Sequence, residues 1–383
     1  MKKICKQLLL LTAFSALLAG CATDNTPKPT LLKQPAPNAV VVKQVWSHSM
    51  SAGADGHNLM IGSAIEGSTL IAAGFGGEIT ASDISTGQII WQDHLDHKVS
   101  ATPGVNSNMV FVNTFDGKLI GIDLATGKVK WTTALPSLAL GAPSATDDVV
   151  VVLCHDSSVV AISTDSGKIL WTYQATTPSL TLYSNSSPVI ANGMVYVGFD
   201  SGQLGAFDLY QGTEAWQIPI AVPSSTEAVK NMVDIDGTPV IDNGTLFVTS
   251  YHGTLSAVNM QNGQIIWQRK NSSFETPLVQ NGNVFVVDNT GRLQAFDEST
   301  GATLWQQKDF RYRFVSNPAT INNMLVVGDY EGVVHFISMT DGTPLARFDV
   351  SDSGITAAPL VYNNEIIVTT NNGHVVALLP GTP

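Results

Sequence analysis

Asp116-Gly117-Lys118-Leu119-Ile120-Gly121-Ile122-Asp123-Leu124-Ala125-Thr126-Gly127-Lys128-Val129-Lys130-Trp131 is one copy of a segment that recurs along the whole chain. Its leading glycine position is held by Gly77, Gly117, Ser157, Gly202, Gly253, Gly291, Gly332 and Gly373, at intervals of 40, 40, 45, 51, 38, 41 and 41 residues. Ten residues on comes a second glycine: Gly87, Gly127, Gly167, Gly212, Gly263, Gly301 or Gly342. Four further on stands Trp91, Trp131, Trp171, Trp216, Trp267 or Trp305, with Ala346 in the seventh unit. An independent marker lies fourteen residues ahead of the leading glycine: Pro103, Pro143, Pro188, Pro239, Pro277, Pro318 or Pro359, with Ser63 in the first unit. Self-similarity at such a period is the signature of a repeat architecture.

Each unit reads as four short strands. Asn192-Gly193, Asn243-Gly244 and Asn281-Gly282 are hairpin turns, because two successive residues there need positive φ. They lead into Val195-Tyr196-Val197, Leu246-Phe247-Val248 and Val284-Phe285-Val286, which are β-branched and aromatic strand formers. A third strand alternates, as at Leu293, Ala295 and Asp297, and a Thr-Gly turn leads to a fourth that ends in tryptophan. Four antiparallel strands every 40 or so residues describe a propeller blade. The eighth unit stops at Leu378, before its fourth strand, while Val40-Val41-Val42-Lys43-Gln44-Val45-Trp46 carries an unmatched tryptophan. The expected fold is therefore all-β: an eight-bladed β-propeller over residues 40–383, with blade 8 shared between 40–47 and 356–379. Closure of the ring removes exposed sheet edges. The tryptophans read as wedges between blades, and Ala346 predicts a weaker junction at blade 7.

Composition agrees. The chain has 383 residues, 44% hydrophobic but only 13% charged, with 33 glycines, which suits strand-rich globular structure and excludes disorder and coiled coil. The net charge is −12; without Lys2, Lys3 and Lys6 of residues 1–20, 16 basic residues face 31 acidic ones. So acidic a body has few cations with which to bind phosphates, which argues against nucleic acid and against direct clamping onto anionic lipid.

Lys2, Lys3 and Lys6 precede an apolar run from Leu8 to Leu18, too short to span a bilayer and laid out as a secretory signal over residues 1–20. Leu18-Ala19-Gly20-Cys21 resembles the lipobox of bacterial lipoproteins, which implies cleavage before Cys21 and acylation of it. Ala22 rather than aspartate follows, which implies the outer membrane. Residues 21–39, with Pro27, Pro29, Pro35 and Pro37, read as a lipidated tether reaching at most roughly 60 Å. Once Cys5 is removed and Cys21 lipidated, Cys154 remains alone. At the end of Val149-Val150-Val151-Val152-Leu153 it reads as a buried, inert thiol.

The Ala-x-Asp-x-x-Thr-Gly-x-x-x-Trp pattern of Ala295 through Trp305 resembles the repeat of pyrroloquinoline-quinone propellers, shared by quinoprotein dehydrogenases and by the BamB family of outer-membrane lipoproteins. A lipobox, a short tether and one propeller match the BamB family. The resemblance implies a periplasm-facing, lipid-anchored, non-catalytic scaffold of the β-barrel assembly machinery. Its implied partners are a BamA-like barrel-forming subunit and nascent outer-membrane proteins; it implies no cofactor, metal or small-molecule substrate. Thr177-Pro178-Ser179-Leu180-Thr181-Leu182 and Met232-Val233-Asp234-Ile235-Asp236-Gly237-Thr238-Pro239 resemble the family's partner-binding loops. Carried over, the contacts are Leu180, Leu182, Asp234 and Asp236, with Tyr183 where the family has arginine. Spacing converges on the same place. The two longest connections, 172–187 and 217–238, are consecutive, join adjacent blades on one face, and suit a functional patch on a rigid scaffold. There Leu180 and Leu182 would dock the partner, while Asp234 and Asp236 would meet basic residues or order the loop. Ser224-x-x-Glu227 offers a capping box.

No His-Glu-x-x-His, Gly-x-Ser-x-Gly or phosphate-cradling loop is present. His94 and His97 lack an evident third metal ligand. Asp234-Ile235-Asp236-Gly237 resembles half a calcium loop, but the twelfth position is Thr245 rather than a chelating glutamate. A quinoprotein dehydrogenase and a carbohydrate- or peptide-binding propeller are the alternatives.

Overall fold

The first blade is a meander of β2 (Ser63–Glu66), β3 (Thr69–Ala73), β4 (Glu78–Asp83) and β5 (Ile89–His94), hydrogen-bonded in that order. The computed structural model describes residues 28–35, 40–54, 56, 57, 59–182, 185–223 and 231–382. Among them it contains eight four-stranded antiparallel sheets. Strands β3 and β4 are almost wholly buried, whereas β5 is exposed along most of its length. Each blade thus has an apolar middle and a wet outer edge.

Sequence chemistry sets the turns. Asn192, Asn243 and Asn281 have φ of 53°, 44° and 54°, each followed by a glycine at positive φ, as their hairpins require. Ser157, which stands where the repeat otherwise carries glycine, takes φ 64°. In the Asp-x-x-Thr-Gly turns the aspartate is the organiser. Asp83 Oδ1 accepts from the backbone N–H groups of Ser85 and Thr86 and from the Thr86 hydroxyl. Asp297 Oδ1 likewise accepts from the Ser299 hydroxyl and from the Thr300 N–H and hydroxyl.

The ring closes as the unmatched tryptophan predicts. Strand β1 (Val42–Ser49) pairs antiparallel with β32 (His374–Pro380), completing a sheet with β31 (Glu365–Thr369) and β30 (Leu360–Tyr362). All seven tryptophans do one job. Each donates its indole N–H to a backbone carbonyl of the next blade, at 2.7–3.3 Å: Ile84, Leu124, Thr164, Leu209, Met260, Glu298 and Met339 in turn. Within its own blade each tryptophan faces a small residue across the outer strand pair, as Trp91 faces Ala81 and Trp131 faces Gly121.

Blade 7 reverses that arrangement. Ala346 faces Phe336, which is fully buried in a cluster with Val40, Val376 and Leu378. The space left by the missing indole is filled from the facing strand. Blade 8, whose outer strand comes from the other end of the chain, also has no Thr-Gly turn for a tryptophan to dock on. The junction that Ala346 led one to expect weak is thus packed by Phe336 instead of an indole.

The Pro-rich segment also departs from expectation. Residues 28–35 lie along blades 6 and 7 rather than running free. The Thr30 N–H donates to the Arg311 carbonyl (3.1 Å), and the Thr30 carbonyl accepts from Arg313 Nε (3.2 Å). Lys33 pairs with Asp309 at 3.1 Å, Arg347 donates to the Lys33 carbonyl, and Leu32 packs beside Phe310 and Val315. Prolines forbid a helix but suit an extended strap whose carbonyls seek donors on a neighbouring surface.

Candidate functional site

The two long connections meet at one mouth of the propeller axis. The first leaves β13 (Ile169–Gln174) for β14 (Val189–Ala191); the second leaves β17 (Glu214–Pro219) for β18 (Val240–Asp242). The Ser186 hydroxyl donates to the Gly237 carbonyl and the Ser187 N–H to Thr238 Oγ1, at 3.4 and 3.1 Å. The chain of bonds continues around the axis: Thr238 N–H to Thr276 Oγ1 (3.0 Å), then Thr276 N–H to Asn317 Oδ1 (2.8 Å). In the last three of these bonds the acceptor is the residue before a repeat proline, so the marker read in the sequence is part of the axial frame.

Leu180 is 43% exposed, while Leu182 is half-buried and lines a cavity of about 330 Å³ at the axis mouth, together with Asn185 and Asp236. The structure therefore brings Leu182 against the Asp234–Asp236 loop, with the exposed Leu180 two residues away along the chain. It does not present the aspartates as a surface charge patch. Asp234 is completely buried and Asp236 is 6% exposed. Burial, and then the negative charge of Asp200, push the Asp234 carboxyl up to about 7; the backbone N–H groups of Asp234 and Leu182 work in the opposite direction. Of the two roles that the sequence left open for Asp234, ordering of the loops is the one this placement suits. Tyr183 and the Ser224–Glu227 capping box lie outside the described residues, as do Cys21 and the signal segment.

Sequence reasoning missed the rest of the mouth. Met60, Phe274, Glu275, Tyr312, Phe314 and Val315 share the cavity with Leu182. A signal was present: the position three before the repeat proline supplies Asn185, Asp236, Phe274, Val315 and Thr356 to the cavity.

The other candidates behave as ordinary structure. His97 pairs with Asp116 at 3.2 Å, and the described residues contain no group of three or more His, Cys, Asp or Glu placed to hold a metal ion. Cys154 is 2% exposed and burial pushes its thiol up to about 11, which suits an inert side chain. No helix among the described residues is long and apolar enough to cross a membrane.

Fold and mouth together define an eight-bladed propeller of PQQ-like repeats, with its longest loops gathered over one end of the axis. The family model described as "Outer membrane protein assembly factor BamB" matches residues 42–131, 77–307 and 290–380. The chain is 40% identical over 368 residues to the protein of that name from Pseudomonas aeruginosa, covering 96% of this chain and 97% of that one. It is 39% identical over 374 residues to the one from Legionella pneumophila, covering 95% and 97%. The crystal structure of BamB from Moraxella catarrhalis superposes with a TM-score of 0.81 at 25% identity, over 88% of this chain and all of the other. The quinohemoprotein alcohol dehydrogenase of Comamonas testosteroni shares the fold, with a TM-score of 0.72 at 13% identity. The chain belongs to the BamB family of outer membrane protein assembly factors.

Proposed function

We propose that the protein is a non-catalytic scaffold of the machinery that assembles outer-membrane β-barrel proteins. In this reading it is moored to the outer membrane through lipid on Cys21 and faces the periplasm. Loops 172–187 and 217–238 hold the BamA-like barrel-forming subunit, with Leu180 and Leu182 as the apolar anchors. Tyr183 extends that contact, and Asp234 and Asp236 shape the loop behind it. Nascent outer-membrane chains are a further partner.

The observation that carries the reading is the pairing of the two longest loops at one mouth, with the exposed Leu180 beside the half-buried Leu182. A rigid ring with two adaptable loops suits docking of another polypeptide, where a few buried apolar anchors carry most of the affinity. The names of the relatives support the assembly role.

The test is affinity capture from detergent-solubilised outer membranes with wild-type protein and with Leu180→Ala/Leu182→Ala. The wild type should retain a large β-barrel membrane protein and the double variant should lose it. Full retention by a double variant with native tryptophan fluorescence would overturn the assignment of the patch.

A further inference from the structure

The axial cavity has a second feature that docking through leucines does not use. Glu275 lines it, is 5% exposed, and its Oε2 has no hydrogen-bond partner among the described residues. Its backbone is pinned: the N–H donates to the Ser273 hydroxyl (2.9 Å), and the carbonyl accepts from Thr249 Oγ1 (2.7 Å). The residue thus sits in the axial frame, and its side chain lines the cavity. The repeat shows how unusual this residue is. Two positions before the repeat proline, the other blades carry Ala101, Gly141, Ser186, Gly237, Ser316 and Ala357, all small and uncharged, and the first unit has Ile61. Only blade 6 places an acid there.

Asp288 also lines the cavity, but Arg292 holds its carboxylate through Nε and Nη2, both at 2.8 Å. Glu275 has no cation of that kind among the salt bridges of the described residues. Around it stand Phe274, Tyr312 and Phe314, the last 71% exposed at the rim. A buried carboxyl oxygen with no partner among the described residues, in a cavity that aromatic side chains also line, is completed by a cation that brings its own N–H donors.

We propose that this cavity is a binding site for one cationic side chain, arginine or lysine, presented between apolar neighbours by a docking polypeptide, with Glu275 as the anion that receives it. A volume of about 330 Å³ lies at the small end of ligand pockets and suits one long side chain better than a folded segment. The net charge of −12 favours cationic partners on approach. The inference rests on the docking reading above and names the chemistry that the partner must carry.

The probes are two capped tripeptides, acetyl-Leu-Arg-Leu-amide and its isostere with citrulline in place of arginine, titrated calorimetrically at pH 7 in two buffers of different ionisation enthalpy. The Glu275 carboxyl is pushed up to about 8 by burial, so at pH 7 it carries a proton that an entering guanidinium displaces. The arginine peptide should bind about tenfold or more tightly than the citrulline peptide and release about one proton. Glu275→Gln should reduce its affinity to the citrulline level and abolish the release. Equal affinities of the two peptides for the wild type, or a Glu275→Gln protein that still prefers arginine, would overturn the proposal. So would absence of binding by either peptide at millimolar concentration. The wild-type comparison needs no variant, so it stands even if Glu275→Gln does not fold. The capture experiment with Leu180 and Leu182 is read independently, so loss of the cation site and loss of the docking patch are told apart.

Discussion

Trp46 sits directly on Gly87. A Cβ built on Gly87 would lie 2.7 Å from Cε3 of the indole, and Gly87 holds φ +68°. The same contact joins Trp305 to Gly342 and the other five tryptophans to the glycine of the next blade's turn. The two sequence markers, glycine and tryptophan, are thus the two halves of one inter-blade joint. The tryptophan comes from one blade and the glycine from its neighbour. Each glycine is required twice, by its positive φ and by the ring above it.

Trp46→Ala should therefore destabilise the ring at its closure, by about 3–5 kcal/mol in urea unfolding. Gly87→Ala should also destabilise, because the methyl meets the indole and the His48 ring while the backbone is strained. A Gly87→Ala protein as stable as the wild type would show that the joint is slack.

Ala346 should not welcome the tryptophan that the repeat leads one to expect. Phe336 already fills the volume across the strand pair, and blade 8 offers no glycine turn to receive an indole. Ala346→Trp should destabilise by about 1–3 kcal/mol through overpacking, and Phe336→Ala by about 3–5 kcal/mol. Stabilisation by Ala346→Trp in the same unfolding assay would refute the compensating-volume account.

How far the sequence alone reaches follows from these residues. Blade number, turn positions and closure were legible because each depends on local chemistry that repeats: Asn-Gly hairpins, Asp-x-x-Thr-Gly turns, and a surplus Trp46 matched to a missing strand. The Phe336–Ala346 exchange was not, since it appears only once strand register is known. The strap was missed because Pro29 and Pro35 exclude helix, and an extended segment docked on a surface has the same composition as a free one. At the mouth, loop length pointed to Leu180 and Leu182. Asp234-Ile235-Asp236-Gly237 has the composition of an exposed turn, and its burial depends on packing against the neighbouring loop.

The strap and a buried charge network share Arg313. Its Nη1 lies 2.9 Å from Asp329 Oδ2 and 2.6 Å from Glu331 Oε2, and the same Asp329 oxygen is 2.9 Å from His335 Nε2. Asp329 is fully buried; burial alone would raise its carboxyl, but His335, the Val333 N–H and Arg313 together outweigh it and hold the carboxyl below the usual range. Arg313→Ala strips the guanidinium from that carboxylate and the Nε donor from the Thr30 carbonyl. The loss should be about 3–5 kcal/mol, and trypsin should cut after Lys33 markedly faster than in the wild type. Unchanged cleavage would show that the strap is held without Arg313.

Stability should fall, not rise, as the solution becomes alkaline through neutrality, because of the two acids at the mouth. Glu275 moves from 4.5 up to about 8, through burial, and Asp234 from 3.8 up to about 7, through burial and then the charge of Asp200. Between its unfolded and folded values each group keeps its proton in the native state and loses it in the unfolded chain. The native state then binds more protons, and the slope is a loss of about 1.4 kcal/mol per pH unit per group. Below about pH 4 both states are protonated and neither group contributes to the slope; above about pH 8 both states are ionised and the loss is complete. Glu275→Gln removes one of the two terms. In urea unfolding it should match the wild type near pH 4, show a shallower fall towards pH 8, and be the more stable protein there. A Glu275→Gln protein less stable than the wild type at pH 8 would mean that the native carboxylate is already satisfied, leaving the axial cavity no charge to offer an incoming cation.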